Sequence, residues 1–153
     1  MSSIYYEEEL KELNKSGLKY LIVGGIAVNL HGLPRLTRDL DLMIDINADN
    51  LQKFVKVMKK LNYATKFPIN EWQGKSAIAF FSDQDDSKQI DVLLKNPIDF
   101  KAAYKRRKMF KINEASFNCV GFDDLLKMKE IAGRDRDLID MGYLKKFKSE
   151  EKT

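Results

Sequence analysis

Three aspartates carry the first chemical signal in this sequence. Asp39 and Asp41 stand in Thr37-Arg-Asp-Leu-Asp-Leu, and Asp91 stands in Gln89-Ile-Asp-Val-Leu. Leu40, Leu42, Ile44 and Ile46 alternate with Asp39, Asp41, Met43 and Asp45, and a period of two predicts a strand. Residues two apart on a strand point the same way, so Asp39 and Asp41 present their carboxylates on one face. Two carboxylates a few ångströms apart repel and are costly without a cation between them. Magnesium takes carboxylate and phosphate oxygens together, so the pair suits a nucleoside triphosphate site. The plainer alternative is that both aspartates end the strand and face water. Aspartate is a poor strand former, so Asp91 between Ile90 and Val92 invites a reason. It either accepts a hydrogen bond at a sheet edge or completes a metal cluster, binding a second ion or taking a proton from an attacking hydroxyl.

The elements that would position these groups can be read along the chain. Tyr5, Tyr6, Leu10 and Leu13 repeat at helical spacing, with Ser2 or Ser3 as cap and Asn14 to Gly17 as stop. Tyr20 to Val23 is a buried-strand candidate that ends in Gly24-Gly25. That turn opens a short helix, Ile26 to Leu30, and its free N–H groups and absent side chains would let phosphates come close. Asn47 can cap a helix from Ala48 to about Leu61 that carries Leu51, Phe54, Val55, Met58 and Leu61 inward. Strands are expected at 63–67, 77–81 and 89–94, with Asp83 to Ser87 as a hairpin loop. A helix over 99–104, weak strands near 109–112 and 117–120, and helices over 122–132 and 135–147 complete the chain. No repeat or Pro/Gly-rich linker interrupts it. The pattern predicts one α/β (α+β) domain over 1–153, a mixed central sheet flanked by helices to about residue 120 and a helical segment over about 121–150.

Bulk composition narrows the class. A chain of 153 residues, 44% hydrophobic and 33% charged, has enough apolar matter for a real core and too much for a disordered segment. No apolar run approaches the roughly 20 residues of a membrane span. Its acidic start, Tyr5-Tyr-Glu-Glu-Glu, is unlike a signal peptide, so the cytoplasm is the expected location. One cysteine, Cys119, and one histidine, His31, exclude an internal disulfide and a Cys/His zinc site. The net charge of +4 is mild, but Lys101, Lys105, Arg106, Arg107, Lys108 and Lys111 cluster, as do Lys145, Lys146, Lys148 and Lys152. Such runs are either solvated faces or surfaces that attract a polyanion.

The stretch Leu21-Ile-Val-Gly-Gly-Ile-Ala-Val-Asn-Leu-His-Gly-Leu-Pro-Arg-Leu-Thr-Arg-Asp-Leu-Asp-Leu resembles the signature of the nucleotidyltransferase superfamily related to DNA polymerase β. In its Arg-x-Thr-x-Asp-hydrophobic-Asp form it looks like the AbiEii-type toxins and their small relatives. Lys129-Glu-Ile-Ala-Gly-Arg-Asp-Arg-Asp is similar to that group's Lys-Glu-x-Ala-Gly-Arg-x-Lys-Asp segment, with Arg136 where lysine is usual. The resemblance implies a palm sheet carrying Asp39, Asp41 and Asp91 as metal ligands and catalytic carboxylates, with Mg2+ or Mn2+ as cofactor. Gly24 and Gly25 would then meet the triphosphate through backbone amides.

Around that cluster, Arg35, Thr37 and Arg38 could reach phosphate, although Arg38 could equally pair with Asp39 or Asp41. Lys129 and Arg134 either settle helix-end charge or fold back over the triphosphate. Asp137 and Asp140 read as salt-bridge or capping residues, with Asp137 kept as a site candidate through the resemblance. His31 reads as structural and Cys119 as a small buried hydrophobe. Trp72 either packs or stacks on a base. The function implied is transfer of a nucleoside monophosphate from an NTP to an RNA (tRNA), protein or small-molecule hydroxyl, with an antitoxin as partner if the chain is a toxin. The competing readings are a lincosamide- or aminoglycoside-type antibiotic nucleotidyltransferase and an inactive nucleotide- or partner-binding member. The shortness of the chain beside most toxin members leaves its acceptor-binding portion open.

Overall fold

A computed structural model describes residues 5–151. The cap assigned to Ser2 or Ser3 and the charge of Lys152 lie outside the described residues. Within them, seven strands form one mixed sheet. They are β1 (Tyr20–Val23), β2 (Leu40–Ile44), β3 (Tyr63–Ala64), β4 (Ala77–Ser82), β5 (Gln89–Leu93), β6 (Lys108–Ile112) and β7 (Ala115–Cys119). The helices are α1 (Glu7–Ser16), α2 (Gly24–Leu30), α3 (Ala48–Lys60), α4 (Phe100–Lys105), α5 (Phe122–Ala132) and α6 (Asp135–Glu151). Strand order is β3-β4-β5-β2-β1-β7-β6, with β2 parallel to β5, β1 parallel to β7, and every other neighbouring pair antiparallel. The expected mixed sheet flanked by helices is thus what the chain forms.

One face of the sheet is the core. Register puts Phe80, Ile90, Leu40 and, one step along, Ile22 and Leu42 on the same side, all at 4% exposure or less. The α3 residue Phe54 meets Phe80 edge to face at 5.4 Å, a favourable aromatic geometry. Asn47 caps α3 as expected, accepting from the Asn50 N–H at 2.8 Å, and Asp99 caps α4 in the same way at 2.9 Å.

Several element boundaries differ from the sequence pattern, each for a local reason. A 3-10 turn at Tyr5–Tyr6 precedes α1. The helix α2 begins on the glycine pair itself, because Gly24 at φ +71° turns the strand directly into the helix. In β2 the alternation ends early. Met43 is fully buried while Ile46 is outside the strand and 42% exposed, because this central strand is covered on both faces there. In α3 the inward face includes Asn50 and Val57, while Leu51, Val55 and Leu61 are only partly buried. Asn50 is the surprise of that face, and its amide satisfies Lys19 and Asp45 backbone groups. The strand β3 stops at Ala64, since the chain swings away toward Pro68 and a 3-10 turn at Ile69–Glu71. At the other end α6 runs past Phe147 to Glu151. No helix among the described residues is long and apolar enough to cross a membrane.

Candidate active site

The second face of the sheet carries the carboxylates. Cα pairing sets Val23 beside Asp41, Asp41 beside Asp91 and Asp91 beside Ala79, a row across β1, β2, β5 and β4. Asp39 sits one residue before β2, at the same end of the sheet. Burial pushes the Asp41 carboxyl up to about 7, helped by the negative charge of Asp91, a hydrogen bond shared with it, and Asp39, against a pull from Lys129. Burial and Asp91 also raise Asp39, opposed by Arg38. Asp91 is not at a sheet edge, since β4 and β2 flank its strand. Its Oδ1 accepts from Gln89 Nε2 at 2.7 Å.

The glycine turn is fitted to these residues. A Cβ on Gly24 would collide with the Asp41 carboxylate, and its positive φ is strained for any other residue. A Cβ on Gly25 would lie 2.5 Å from Thr37 Oγ1. The turn, the loop before β2 and the acidic strand therefore pack with no space for a methyl group.

An ion network centred on buried Lys129, Asp137 and Asp140 forms the opposite wall. Lys129 Nζ lies 3.3 Å from Asp137 Oδ1 and 3.0 Å from Asp140 Oδ2. Arg134 Nε is 2.6 Å from Asp137 Oδ2, and Arg35 pairs with Asp140. Burial alone would raise the Asp137 carboxyl, but hydrogen bonds from the Arg134 side chain and backbone and from Lys129 hold it below its ordinary value. Lys129 does sit in the last turn of α5, yet it is turned inward onto these carboxylates rather than left in water at the helix end.

Between these walls lies a cleft of about 460 Å³. Gly24, Gly25, Asp39 and Asp41 line it from the sheet side, Arg35, Thr37 and Arg38 from the loop, and Lys129, Arg134 and Arg136 from the C-terminal helices. Asp137 lines an adjoining cleft of about 330 Å³ instead, and Asp91 lines neither, standing one strand beyond Asp41. Among the described residues no three His, Cys, Asp or Glu side chains already converge in ligating geometry. What fits a metal is the chemistry of the donor set: oxygen donors only, with carboxylates crowded at close range until a proton or a cation lies between them.

Other candidates fall away from the cleft. Trp72 is buried, donates Nε1 to the Phe67 carbonyl at 2.8 Å and meets Phe80 edge-on, so it packs and presents no face for a base. The His31 Nε2 lies 2.8 Å from the Val120 carbonyl oxygen, with Phe110 and Phe122 edge-on around the ring. Cys119 is buried. The basic run over 101–111 belongs to α4 and the edge strand β6, three strands from β2, and its Arg106 pairs with Asp124 at 3.0 Å. The sequence reading of Asp140 as a salt-bridge residue holds, but its partner Arg35 was missed, as was Gln89 beside Asp91. Gln89 was findable, because a residue two before Asp91 on one strand must share its face; the reach of Asp140 to Arg35 left no local signal.

No protein-family model matches this sequence, and no curated protein matches it. Solved structures do. The lincosamide antibiotic adenylyltransferase LnuA, in its lincomycin-bound structure, superposes with a TM-score of 0.63 at 17% identity over 94% of both chains. ANT(2'')-Ia in complex with adenylyl-2''-tobramycin gives 0.63 at 11% identity, over 98% of this chain and 91% of the other. An antigenic nucleotidyltransferase-like protein from Paracoccidioides brasiliensis gives 0.60 at 19% identity, over 93% and 74%. This chain has the nucleotidyltransferase fold.

Proposed function

We propose that the chain is a metal-dependent nucleotidyltransferase that moves a nucleoside monophosphate from an NTP to a hydroxyl acceptor. The observation that carries this reading is the in-register pair Asp41 and Asp91, joined by Asp39 and set against a cleft with five cationic side chains. Asp39, Asp41 and Asp91 would hold Mg2+ or Mn2+, which when bound neutralises charge that develops on the phosphoryl oxygens. Arg35, Arg38, Lys129 and Arg134 attract the triphosphate, and the amides of Gly24 and Gly25 approach it closely. Asp91, whose Oδ1 accepts from Gln89, takes the proton of the attacking hydroxyl. That oxygen then bonds to the α-phosphorus as the α–β bridge breaks and pyrophosphate leaves. Asp137 acts by holding Lys129 and Arg134 in place.

The acceptor class is an RNA such as tRNA, a protein or a small molecule. Similarity in fold to LnuA and ANT(2'')-Ia makes antibiotic hydroxyls worth including. The resemblance to AbiEii-type toxins supports a cytoplasmic toxin with an antitoxin partner, which an adjacent antitoxin gene would support independently. The deciding experiment incubates the protein with each α-labelled NTP, Mg2+ and total tRNA, protein extract, lincomycin or tobramycin. Label transfer is expected, with loss of at least about a hundredfold in Asp39→Ala. Absence of transfer together with unchanged NTP binding in Asp39→Ala and Asp41→Ala would sink the enzyme reading.

A further inference from the structure

Helix α6 is built to face protein on two sides. Its inward side carries Asp137, Asp140 and Leu144, all buried. Its outward side carries Leu138, Ile139 and Tyr143, each more than half exposed. A single exposed leucine is ordinary, but three large apolar side chains over 138–143 make the kind of patch that marks an interface. Asp135, Ile139, Gly142 and Lys146, spaced i, i+4, i+7 and i+11, form one line down the middle of that side, and all four are exposed. Leu138 and Tyr143 flank the line.

Two features of the line say what covers it. Gly142 stands in the interior of a 17-residue helix, where glycine is a poor helix former beside alanine. A Cβ there would meet nothing else of the described chain within 4 Å, so no contact inside the chain requires the glycine; a side chain approaching from outside would. Asp135 at one end of the line and Lys146 at the other form no ion pair among the described residues. When two α6 helices run antiparallel about a twofold axis, one register sets each Asp135 opposite the other copy's Lys146. That same register sets each Ile139 opposite the other copy's Gly142. Charge and shape are thus satisfied together, and twice over.

We propose that the outward side of α6 docks a second copy of this chain, with Ile139 seated over Gly142 and Asp135 paired with Lys146 at both ends. The interface is isologous, the same patch serving both copies. It stands independently of the nucleotidyltransferase reading, since no residue of the line lines either cleft beside Asp41. It also lies on the reverse of the helix side that holds Lys129 and Arg35 through Asp137 and Asp140.

The test is sedimentation equilibrium of the full chain from about 1 to 500 µM. One helix pair is a small interface, so a dimer with a dissociation constant on the order of 10–100 µM is expected. Ile139→Asp should weaken pairing at least about tenfold while circular dichroism and Tm stay near wild type, because the side chain is exposed. Asp135→Lys and Lys146→Asp should each weaken it about tenfold by setting like charges opposite, and the double variant should return to within about threefold of wild type. Gly142→Ala should raise the Tm of the dilute monomer yet loosen the dimer about fivefold or more. A chain that stays monomeric throughout the range overturns the proposal. So does a dimer that Ile139→Asp leaves intact, or a double variant no tighter than the single ones, which would assign the patch to a different protein.

Discussion

Asp41 stores the clearest energetic signal of the site. Its folded-state carboxyl is raised, mainly by burial and then by Asp91, so the folded protein binds this proton more tightly than the unfolded chain does. The associated stability is fully present below the unfolded carboxylate range near pH 4 and is lost as pH rises toward 7. Asp41→Asn removes that loss. Its Tm relative to wild type, measured without divalent metal, should therefore climb from pH 4 to 7 and level off above, ending on the order of 1–2 kcal/mol more stable. A difference that stays flat with pH would contradict the raised carboxyl. Gln89 belongs to the same scale. Gln89→Leu deletes the 2.7 Å hydrogen bond to Asp91 Oδ1 and should lower kcat about tenfold or more while leaving KM for NTP nearly unchanged, because the cleft proposed to take the triphosphate is lined by neither Gln89 nor Asp91. An equal rise in KM would place Gln89 in binding instead.

At the scale of elements, the glycine turn is the most constrained joint. Gly24→Ala adds a methyl group against the Asp41 carboxylate at a positive φ. The expected cost is about 1–3 kcal/mol by thermal or urea unfolding. NTP affinity should also fall by more than Gly25→Ala causes, since Gly25 has no positive φ and its neighbour is Thr37 rather than the Asp41 carboxylate. Much of this element-level structure was legible: the strand ending in Gly24-Gly25, the Asn47 cap and both C-terminal helix starts follow from local pattern. What was not legible depends on partners distant in sequence. The full burial of Met43 and the early end of β3 come from how the sheet is covered and where it stops, and period-two counting contains neither.

Across the whole molecule, three of the five cations of the cleft, Lys129, Arg134 and Arg136, come from the C-terminal helices, and Arg35 and Arg38 come from the loop before β2. The resemblance had already drawn Lys129, Arg134 and Asp137 toward the triphosphate, and the fold does bring Lys129 and Arg134 to the cleft beside Asp41. Asp137 and Asp140 pair as salt-bridge residues there: the i, i+3 spacing of Arg134 and Asp137 signals one pair, whereas Arg35 meets Asp140 across 105 positions with no local signal. Asp140→Ala leaves buried Lys129 with Asp137 alone and frees Arg35. A loss of about 2–4 kcal/mol is expected in urea unfolding, because removing one partner strands a buried charge.

Gly32 lies in the connection between α2 and β2 and faces α6. A Cβ there would collide with the Phe147 ring, at the far part of α6, while Asp140 of the same helix grips Arg35. Two handles two helical turns apart, about 10 Å along the axis, thus hold one short connection between α2 and β2. A flap hinged at a single point could swing; a strut bolted at both ends cannot. Opening the cleft must then carry the 17-residue helix bodily with the loop. Amides in 33–39 and in α6 between Asp140 and Phe147 should accordingly exchange with solvent as one unit, at matched rates, when followed by hydrogen exchange.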